Sequence, residues 1–309
     1  MTTKRPRNLA ASVRQRLLNL SRRTGRPYSE LSRHFAMERF LYRLSRMPQS
    51  RELVLKGALM FLAWRAPRSR PTMDIDLLDQ GTGRGALDVL GLLKRACEQD
   101  VMPDGLTFDA RSVRGTTILE EATTVGVRVR LKGSLDTERV VIQVDVAFGD
   151  VVVPAPSLIT YPTLLDFPAP EILGYSRESV VAEKFNAMVT RGALNTRLKD
   201  FYDIWLLSRD FEFNGGALSD AIRRTFKKRG TGVSPLPAGL TRAFAEDRGR
   251  QAQWAAFIRR GLLDEAPRAL TEVVAEVAEF LVPLAEAMVA ARPFPSVWLP
   301  GGPWSACSR

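Results

Sequence analysis

The sequence predicts an α/β (α+β) protein with three parts: a basic helical arm at residues 1–50, an α/β core at 51–165 and a helical C-terminal domain at 166–309. The first part combines many arginines with apolar residues at helical spacing. The second contains short β-branched runs bounded by glycine and proline, and the third is mainly helical in pattern as far as residue 290. A chain of 309 residues with 45% hydrophobic content is long enough for about two packed cores.

Composition excludes several classes of protein. No stretch approaches the roughly 18 uninterrupted apolar residues of a membrane span, and the N-terminus lacks the apolar segment of a secretory signal, so we expect a cytoplasmic chain with no membrane partner. Cys97 and Cys307 are too few for a disulfide framework or a four-cysteine zinc site and are predicted to be inert thiols. The single histidine, His34, leaves too few parts for a Ser-His-Asp triad or a histidine metal site.

Positive charge is concentrated in the arm. Residues 1–50 contain twelve lysines and arginines against two glutamates, which accounts for +10 of the net charge of +11. This concentration predicts a surface for a polyanion, with RNA, DNA and an acidic membrane all open, because the arginine fork suits phosphate. Arg39, Arg43 and Arg46 form a predicted cationic stripe, and the alternative is an ordinary solvated helix face. The same helix is expected to pack by four apolar residues: Met37, Phe40, Leu41 and Leu44.

The core begins with a strand, a turn and a second strand. "ELVLKG" reads as a short strand ended by glycine, "ALMFLAW" as one or two helical turns, and "TMDIDLL" as a second strand. Side chains two apart in a strand share a face, so Asp74 and Asp76 are expected on one face and Met73, Ile75 and Leu77 on the core face. Like charges this close favour a divalent cation with oxygen ligands. The alternative is two acids on the wet face of an edge strand.

A third carboxylate, Asp145, lies in the β-branched run "RVVIQVDVAFGD". Phosphoryl transfer needs the attacking and leaving oxygens held in line while charge on the phosphate is neutralised, and two Mg²⁺ ions on three carboxylates do this. Gly57, at the predicted strand-to-helix turn, would let backbone N–H groups and a helix N-terminus approach a triphosphate. Together these residues favour Mg²⁺-dependent chemistry on an NTP.

The chain resembles the AbiEii-type nucleotidyltransferase toxins of the polymerase-β-like nucleotidyltransferase superfamily, from about Leu9 to Leu207. The resemblance is carried by "LKGALMFLAW", "RPTMDIDL", "VIQVDV" and "VVAEKFNAMVTRGALNTRLKDFYDIW". A lone D-x-D is a weak signal, whereas this ordered combination is specific. One departure is Gly57-Ala58, where the superfamily commonly has Gly-Ser or Gly-Gly. A hydroxyl that contacts phosphate is therefore missing, although the backbone donors remain.

This resemblance implies a role for each matching residue. Asp74 and Asp76 would hold Mg²⁺ and the nucleotide, and Asp145 would complete the site and help to activate the acceptor hydroxyl. Lys184 would neutralise the β- and γ-phosphates, the alternative being a surface pair with Glu183. The remaining predicted site residues are Asp200 and Asp203, which share a helix face, Lys199, and the nucleotide contacts Gly57, Ala58 and Thr72. For Lys199 an i,i+4 ion pair with Asp203 is an equal alternative, and for Thr72 the alternative is strand propensity.

The resemblance further implies the function. We expect transfer of a nucleoside monophosphate from NTP to an acceptor, in particular the 3′ end of tRNA, with release of pyrophosphate, by the toxin of a bacterial toxin–antitoxin pair with a cognate antitoxin. Two alternatives stay open. A metal-dependent nuclease also uses acidic strands, but no Glu-x-Lys follows "VIQVDV". A non-catalytic RNA-binding module explains the arm but not the three aspartates.

Two further segments are predicted to be structural. "GTGRGALD" imitates a phosphate loop, but no Gly-Lys-Ser/Thr follows it, and a mobile turn is expected. "RPFPSVWLPGGPWSACSR", Arg292 to Arg309, reads as an irregular tail whose aromatic residues pack onto the chain's own core.

Overall fold

The computed structural model describes residues 8–66, 70–120 and 124–306, which form two compact units. The described parts of Met1–Arg65, Pro71–Gly149 and Ser157–Gly174 make the first unit. Those of Ala66–Arg70, Asp150–Pro156 and Tyr175–Arg309 make the second. The three-part division at residues 50 and 165 stays a prediction.

The first unit combines helices with a seven-stranded mixed sheet. Its helices are α1 (Leu9–Thr24), α2 (Tyr28–Ser45), α3 (Leu59–Ala63) and α4 (Ala86–Glu98), with a 3-10 helix at Pro48–Glu52. Its strands are β1 (Leu53–Lys56), β2 (Asp74–Asp79), β3 (Leu106–Glu120), β4 (Thr124–Leu135), β5 (Glu138–Phe148), β6 (Ser157–Thr160) and β7 (Glu171–Gly174). The mixed α/β architecture predicted from the sequence is confirmed.

Strand order in the sheet is β3-β4-β5-β2-β1-β7-β6. Strands β2 and β5 run parallel, as do β1 and β7, and the other neighbours are antiparallel. The predicted strands at "ELVLKG" and "TMDIDLL" are therefore β1 and β2, at the centre of the sheet. Ile75 and Leu77 are fully buried as expected, but Met73 precedes β2 and is 54% exposed, so its assignment to the core was wrong.

The predicted apolar face of the arm is confirmed in α2. Met37, Phe40, Leu41 and Leu44 are fully buried, and α2 contacts β5 of the sheet. The helix α1 begins at an Asn8 cap and ends at Gly25, whose φ of 72° suits glycine. Lys4, Arg5 and Arg7 of the predicted arm lie outside the described residues.

The predicted cationic stripe is wrong for two of its three members. Arg46 is exposed, but Arg39 and Arg43 are buried, because both pair with the buried carboxylate of Asp104. Arg43 binds it with both Nη atoms, at 2.6 and 3.0 Å, and Arg39 Nε donates at 3.1 Å. Asp104 also accepts from the backbone N–H of Leu106 at 3.0 Å. Arg39 and Arg43 therefore attach α2 to the loop before β3 and are not available to a polyanion.

The single histidine and the one described cysteine are both buried. His34 is buried, and this burial lowers its pKa to about 4. Its Nε2 lies 3.1 Å from the hydroxyl of Tyr161. Burial likewise raises the pKa of the Cys97 thiol to about 12, which makes it unreactive. Cys307 lies outside the described residues.

The second unit is mainly helical, as predicted. It contains α5 (Arg177–Arg191), α6 (Leu198–Asp210), α7 (Gly215–Arg229), α8 (Arg242–Glu246), α9 (Arg248–Gly261) and α10 (Leu270–Val289), with 3-10 helices at Gly192–Leu194 and Ala238–Leu240. Its strands are β8 (Phe213–Asn214), β9 (Ser296–Trp298) and β10 (Trp304–Ala306), which form a separate sheet in the order β10-β9-β8. Within the described residues, no helix is long and apolar enough to cross a bilayer.

The described part of the C-terminal tail, residues 292–306, packs onto the rest of the second unit as predicted, but it is not irregular, because it contributes β9 and β10. The indole of Trp298 donates to the carbonyl of Ser208 at 2.6 Å, and that of Trp304 donates to the carbonyl of Phe280 at 2.9 Å. The Trp304 ring also stacks on Phe280, with 5.6 Å between ring centroids. Satisfied N–H groups and stacked rings explain why this Pro-rich segment is ordered.

The Asp104 ion pairs generate a stability prediction. We expect Asp104→Asn to lower the free energy of unfolding by about 3–5 kcal/mol, because it leaves two buried guanidinium groups without their carboxylate. Urea denaturation followed by circular dichroism measures this change. The double variant Arg22→Gln/Arg23→Gln, at exposed positions of α1, is the control and should change it by less than about 0.5 kcal/mol. An Asp104→Asn protein as stable as the parent would contradict the structural role of Arg39 and Arg43.

Candidate active site

Three predicted carboxylates meet in the first unit. Asp76 lies opposite Asp145 in the parallel pairing of β2 with β5, and Asp74 lies opposite Gln143 on the same face. One oxygen from each of Asp74, Asp76 and Asp145 lies within 4.8 Å of the others. Asp145 is buried and the other two are half-buried. Such a set of hard oxygen donors on rigid strands could hold a divalent metal ion.

Asp145 has two neighbours that the sequence analysis missed. Arg128 of β4 lies opposite it in the sheet and binds both of its oxygens, Nε–Oδ1 at 2.9 Å and Nη2–Oδ2 at 2.7 Å. Gln143 Nε2 donates to Oδ2 at 3.3 Å. Arg128 thus offsets part of the repulsion among the three acids. The alternation in "VRVRLK" indicates a strand with cations on one face, but only the strand register identifies Arg128 as the partner of Asp145.

Gly57 is confirmed as the turn between β1 and α3, and two observations require glycine there. Its φ is 72°, and a Cβ at this position would lie 1.9 Å from Oδ2 of Asp76. The backbone therefore passes directly against a site carboxylate. Ala58 precedes α3, which has five residues. The helix is a single turn, too short to add the dipole expected of a longer helix.

Thr72 lies before β2, and its hydroxyl donates to Oδ1 of Asp74 at 3.0 Å. The Thr72 side chain therefore orients a site carboxylate. This hydrogen bond was not among the two roles expected for Thr72, a β-branched strand residue or a contact to phosphate. Lys56, buried at the end of β1, lies opposite Asp76 in the antiparallel pairing of β1 with β2. The sequence did not predict Lys56 as a neighbour of the site, because only the register between β1 and β2 places it beside Asp76.

In the second unit, Lys184 lies in a buried ionic cluster. Its Nζ lies 2.7 Å from an oxygen of Asp200 and 2.7 Å from one of Asp203, both on α6. Burial alone lowers the pKa of Lys184, but the two carboxylates outweigh this and the pKa is raised. Lys184 is therefore a charged ammonium at neutral pH, and it is not the exposed surface partner of Glu183 considered above.

Two more arginines join this cluster. Arg70 binds Asp203 with both ends of its fork, at 2.9 and 2.9 Å, and Arg197 Nε lies 2.9 Å from Asp200. Neither was predicted, since nothing in the local sequence marks Arg70 as the partner of a residue so far along the chain. The loop residue Asn195 also contributes, because its side chain accepts from the backbone N–H of Arg197, just before α6.

Lys199 differs from the expectation of an i,i+4 ion pair. The oxygens of Asp203 face Arg70 and Lys184, and no described carboxylate lies within ion-pair distance of Lys199. Partial desolvation, and then the charges of Arg70 and Lys184, lower the pKa of Lys199. Four cations, Arg70, Lys184, Arg197 and Lys199, thus accompany the two carboxylates Asp200 and Asp203. The cluster carries an excess of two positive charges, which is a suitable environment for phosphate.

The buried carboxylate of Asp203 generates a prediction about acid stability. Burial by itself raises the pKa of Asp203, but Arg70 and Lys184 outweigh it and lower the pKa to about 2, below the ordinary value of 3.8. The native state therefore binds this proton less readily than the unfolded state, so the stabilisation is complete above about pH 4 and is lost as the pH falls to about 2.

We expect Asp203→Asn to lower the free energy of unfolding at pH 7 by about 3 kcal/mol and to reduce its loss between pH 4 and pH 2. Urea denaturation at a series of pH values measures both effects. Asp220→Asn, which removes a half-exposed carboxylate of α7, should change the stability by less than about 0.5 kcal/mol. Equal pH dependence in the Asp203→Asn protein and its parent would show that Asp203 is not held in its charged form by these pairs.

Comparison with known proteins identifies the family. The family described as nucleotidyl transferase AbiEii toxin, type IV TA system, matches residues 39–278, which is most of the chain. No curated protein sequence matches the chain.

A solved structure shows the same fold. MenT4, a nucleotidyltransferase toxin from Mycobacterium tuberculosis, is similar over 91% of this chain and 98% of its own, with 18% identity and a TM-score of 0.50. JHP933 from Helicobacter pylori is similar over 85% of this chain and 94% of its own, with 15% identity and a TM-score of 0.49. The fold is therefore that of MenT4, and the match over residues 39–278 shows that the chain is a nucleotidyltransferase and belongs to the AbiEii toxin family of type IV toxin–antitoxin systems.

Proposed function

We propose that this nucleotidyltransferase transfers a nucleoside monophosphate from NTP to the 3′ end of tRNA, with Mg²⁺ as the metal and pyrophosphate as the second product. The observation that carries the proposal is the convergence of Asp74, Asp76 and Asp145 on one face of the sheet, beside the Gly57 turn. Like charges held this close are costly unless a cation shares them. A charge cluster of this kind suits the transfer of a phosphate group.

Asp74, Asp76 and Asp145 would hold the Mg²⁺ ions. Their oxygens fit this metal in type, and Arg128 on Asp145 does not exclude it, since a carboxylate oxygen can accept more than one partner. When bound, Mg²⁺ would neutralise charge on the transferred phosphate. Thr72 then keeps Asp74 oriented by its hydrogen bond. Contact of the Thr72 hydroxyl with a nucleotide phosphate stays part of the proposal.

In the reaction, a bond forms between the acceptor hydroxyl oxygen and the α-phosphorus of NTP. The bond between that phosphorus and the bridging oxygen of pyrophosphate breaks, and pyrophosphate leaves with its electron pair. We assign to Asp145 the acceptance of the hydroxyl proton, which then passes to solvent. Because both oxygens of Asp145 bind Arg128, its orientation is fixed before the acceptor arrives. The backbone N–H groups of Gly57 and Ala58 are assigned to the triphosphate, since this turn lies directly beside Asp76 of the proposed metal site.

The basic cluster of the second unit is assigned to phosphate as well. The support is its excess of positive charge and the raised pKa of Lys184, which keeps the ammonium charged. Asp200 and Asp203 hold Lys184 in place, so their proposed role is positioning. Lys199, which has no described ion-pair partner, is assigned a direct contact to phosphate. A cognate antitoxin is the proposed protein partner, and the cytoplasm, which contains both NTP and tRNA, is the proposed location.

The proposed function is tested by incubating the protein with MgCl₂, total tRNA and each α-labelled NTP in turn. We expect the label in tRNA, and we expect Asp76→Asn to lower the rate about 100-fold or more, a loss of about 2.7 kcal/mol of transition-state stabilisation. Thermal melts check that the variant is folded, so that the lower rate reports on the site. Asp100→Asn, at an exposed residue, is the control and should keep the parent's rate.

Other outcomes of this assay identify the alternatives. Shortened, unlabelled RNA would support a metal-dependent nuclease, and a gel shift with neither label nor cleavage would support a binding module. Full activity in the Asp76→Asn protein would show that the assignment of the three aspartates to the active site is wrong.

Gly57 generates a second activity prediction. Gly57→Ala should lower the rate of transfer more than tenfold, because the added Cβ and the side chain of Asp76 cannot occupy the same space. The positive φ adds a separate effect, a loss of about 1–3 kcal/mol of stability from backbone strain. Gly83→Ala is a matched control, since Gly83 has a φ of 75° with nothing within 4 Å of the added Cβ. It should show the same backbone strain in thermal melts and keep its activity. Equal rates for the two variants would show that Asp76 can move without loss.

A further inference from the structure

The face of the sheet that carries the three aspartates continues into a row of exposed cations. In the register, Asp145 of β5 lies opposite Arg128 of β4, which lies opposite Thr116 of β3. One step along, Gln143 lies opposite Arg130, which lies opposite Arg114. Residues opposite each other in a sheet share a face, so these side chains lie on the same face as Asp145.

Further cations extend this row. Lys132 follows Arg130 on the same face of β4, and Arg139 follows on β5, two residues before the exposed Val141. We call Arg114, Arg130, Lys132 and Arg139, all of them exposed, the cationic face. The other face of the same strands is apolar and buried, with Val127, Val129 and Leu131 in the core. The alternation therefore leaves Arg114, Arg130, Lys132 and Arg139 on the solvent side of these three strands.

Few of the described acidic side chains lie on this side of the three strands. Among the described side chains of β3, β4 and β5, the register places two carboxylates there, Asp145 and Asp109. Asp145 belongs to the proposed site, and Asp109 lies opposite Lys132 and pairs with Arg111 at 3.6 Å. The four cations of this face thus outnumber the one described carboxylate beside them, Asp109.

The cationic face lies on one side of the proposed metal site. β2, with Asp74 and Asp76, lies between β1 and β5. The Gly57 turn, assigned to the triphosphate, lies on the β1 side, and the cationic face begins on the β5 side and extends across β4 to β3, about 10 Å at the usual strand spacing. An acceptor that reaches Asp145 from the side away from the triphosphate must therefore pass over these cations.

We propose that the cationic face binds the phosphate backbone of the RNA acceptor, with Arg114, Arg130 and Lys132 contacting the nucleotides next to the reacting 3′ end. This inference rests on the proposed function and adds the acceptor-binding residues to it. Arginine, lysine and hydroxyl side chains such as Thr116 are the common phosphate contacts in nucleic-acid complexes. An acidic protein is a poorer fit, because Val141 is the only large apolar side chain described as exposed on this face, and protein interfaces have an apolar or aromatic centre.

The test compares two triple variants that remove the same charge. Arg114→Gln/Arg130→Gln/Lys132→Gln changes the cationic face and leaves Arg128 and the aspartates intact. Arg22→Gln/Arg23→Gln/Lys94→Gln removes three exposed cations of α1 and α4. Binding of a short single-stranded RNA and of total tRNA is measured over a range of KCl concentrations, and KM is measured separately for tRNA and for NTP. Thermal melts check that both variants fold.

We expect the first variant to raise the Kd and the KM for tRNA by about tenfold or more, and to lower the slope of log K against log salt by about two to three, since fewer counterions are released. The KM for NTP should stay within about twofold of the parent. The second variant should behave like the parent in all of these measurements.

Two results would overturn the inference: unchanged RNA affinity and salt slope in the first variant, as expected if the face binds the antitoxin instead, or an equal loss in the second variant. The proposed function fails separately, because an unmodified protein that transfers no label can still bind RNA through this face. Conversely, either of those two results together with full transfer of label would leave the proposed function intact.

Discussion

The parallel pairing of β2 with β5 is the constraint on which the proposed site depends. It places Asp76 opposite Asp145 and, with the two-residue alternation of β2, brings Asp74 onto the same face. Three negative charges within 4.8 Å of one another oppose folding. The surrounding structure reflects this cost, since Arg128 binds Asp145 and Thr72 donates to Asp74. Gly57 allows the backbone to pass against Asp76, where any side chain would displace it.

Cations of this chain have two different physical roles. Arg39 and Arg43 pair with Asp104 in the interior of the first unit, where removing one partner is expensive because the other charge stays buried. Arg114, Arg130 and Lys132 lie on the solvent side of the sheet, where each costs little to keep and remains available to an anion. The N-terminal excess of arginine is therefore partly structural, and the RNA-binding surface that we propose lies on the sheet instead.

The second unit shows how a lysine can be buried and remain charged. Desolvation opposes the charge of Lys184, but two carboxylates at 2.7 Å outweigh it, and Arg70 and Arg197 complete the pairs of those carboxylates. Each member holds the next in place, so the loss of one charge affects the geometry of the others. Such a network keeps cationic groups in fixed positions.

The sequence by itself determined the mixed α/β architecture, β1 and β2 with the Gly57 turn between them, the helix that carries Lys184, and the positions of the three aspartates on strands. These features follow from local chemistry: side-chain alternation, β-branched runs, and the conformational freedom of glycine. The family could also be identified, because its motifs are short and ordered along the chain.

Only the tertiary structure decided which charges pair. In the folded chain Arg39 and Arg43 are buried and Met73 is exposed. Asp203 pairs with Arg70 and Lys184 and not with Lys199, and Arg128 pairs with Asp145. The described part of the tail forms strands. The physical reason is that these contacts join residues distant in sequence, such as Arg70 with Asp203. Local periodicity determines the face on which a side chain lies, but strand register and packing determine the residue that it meets there.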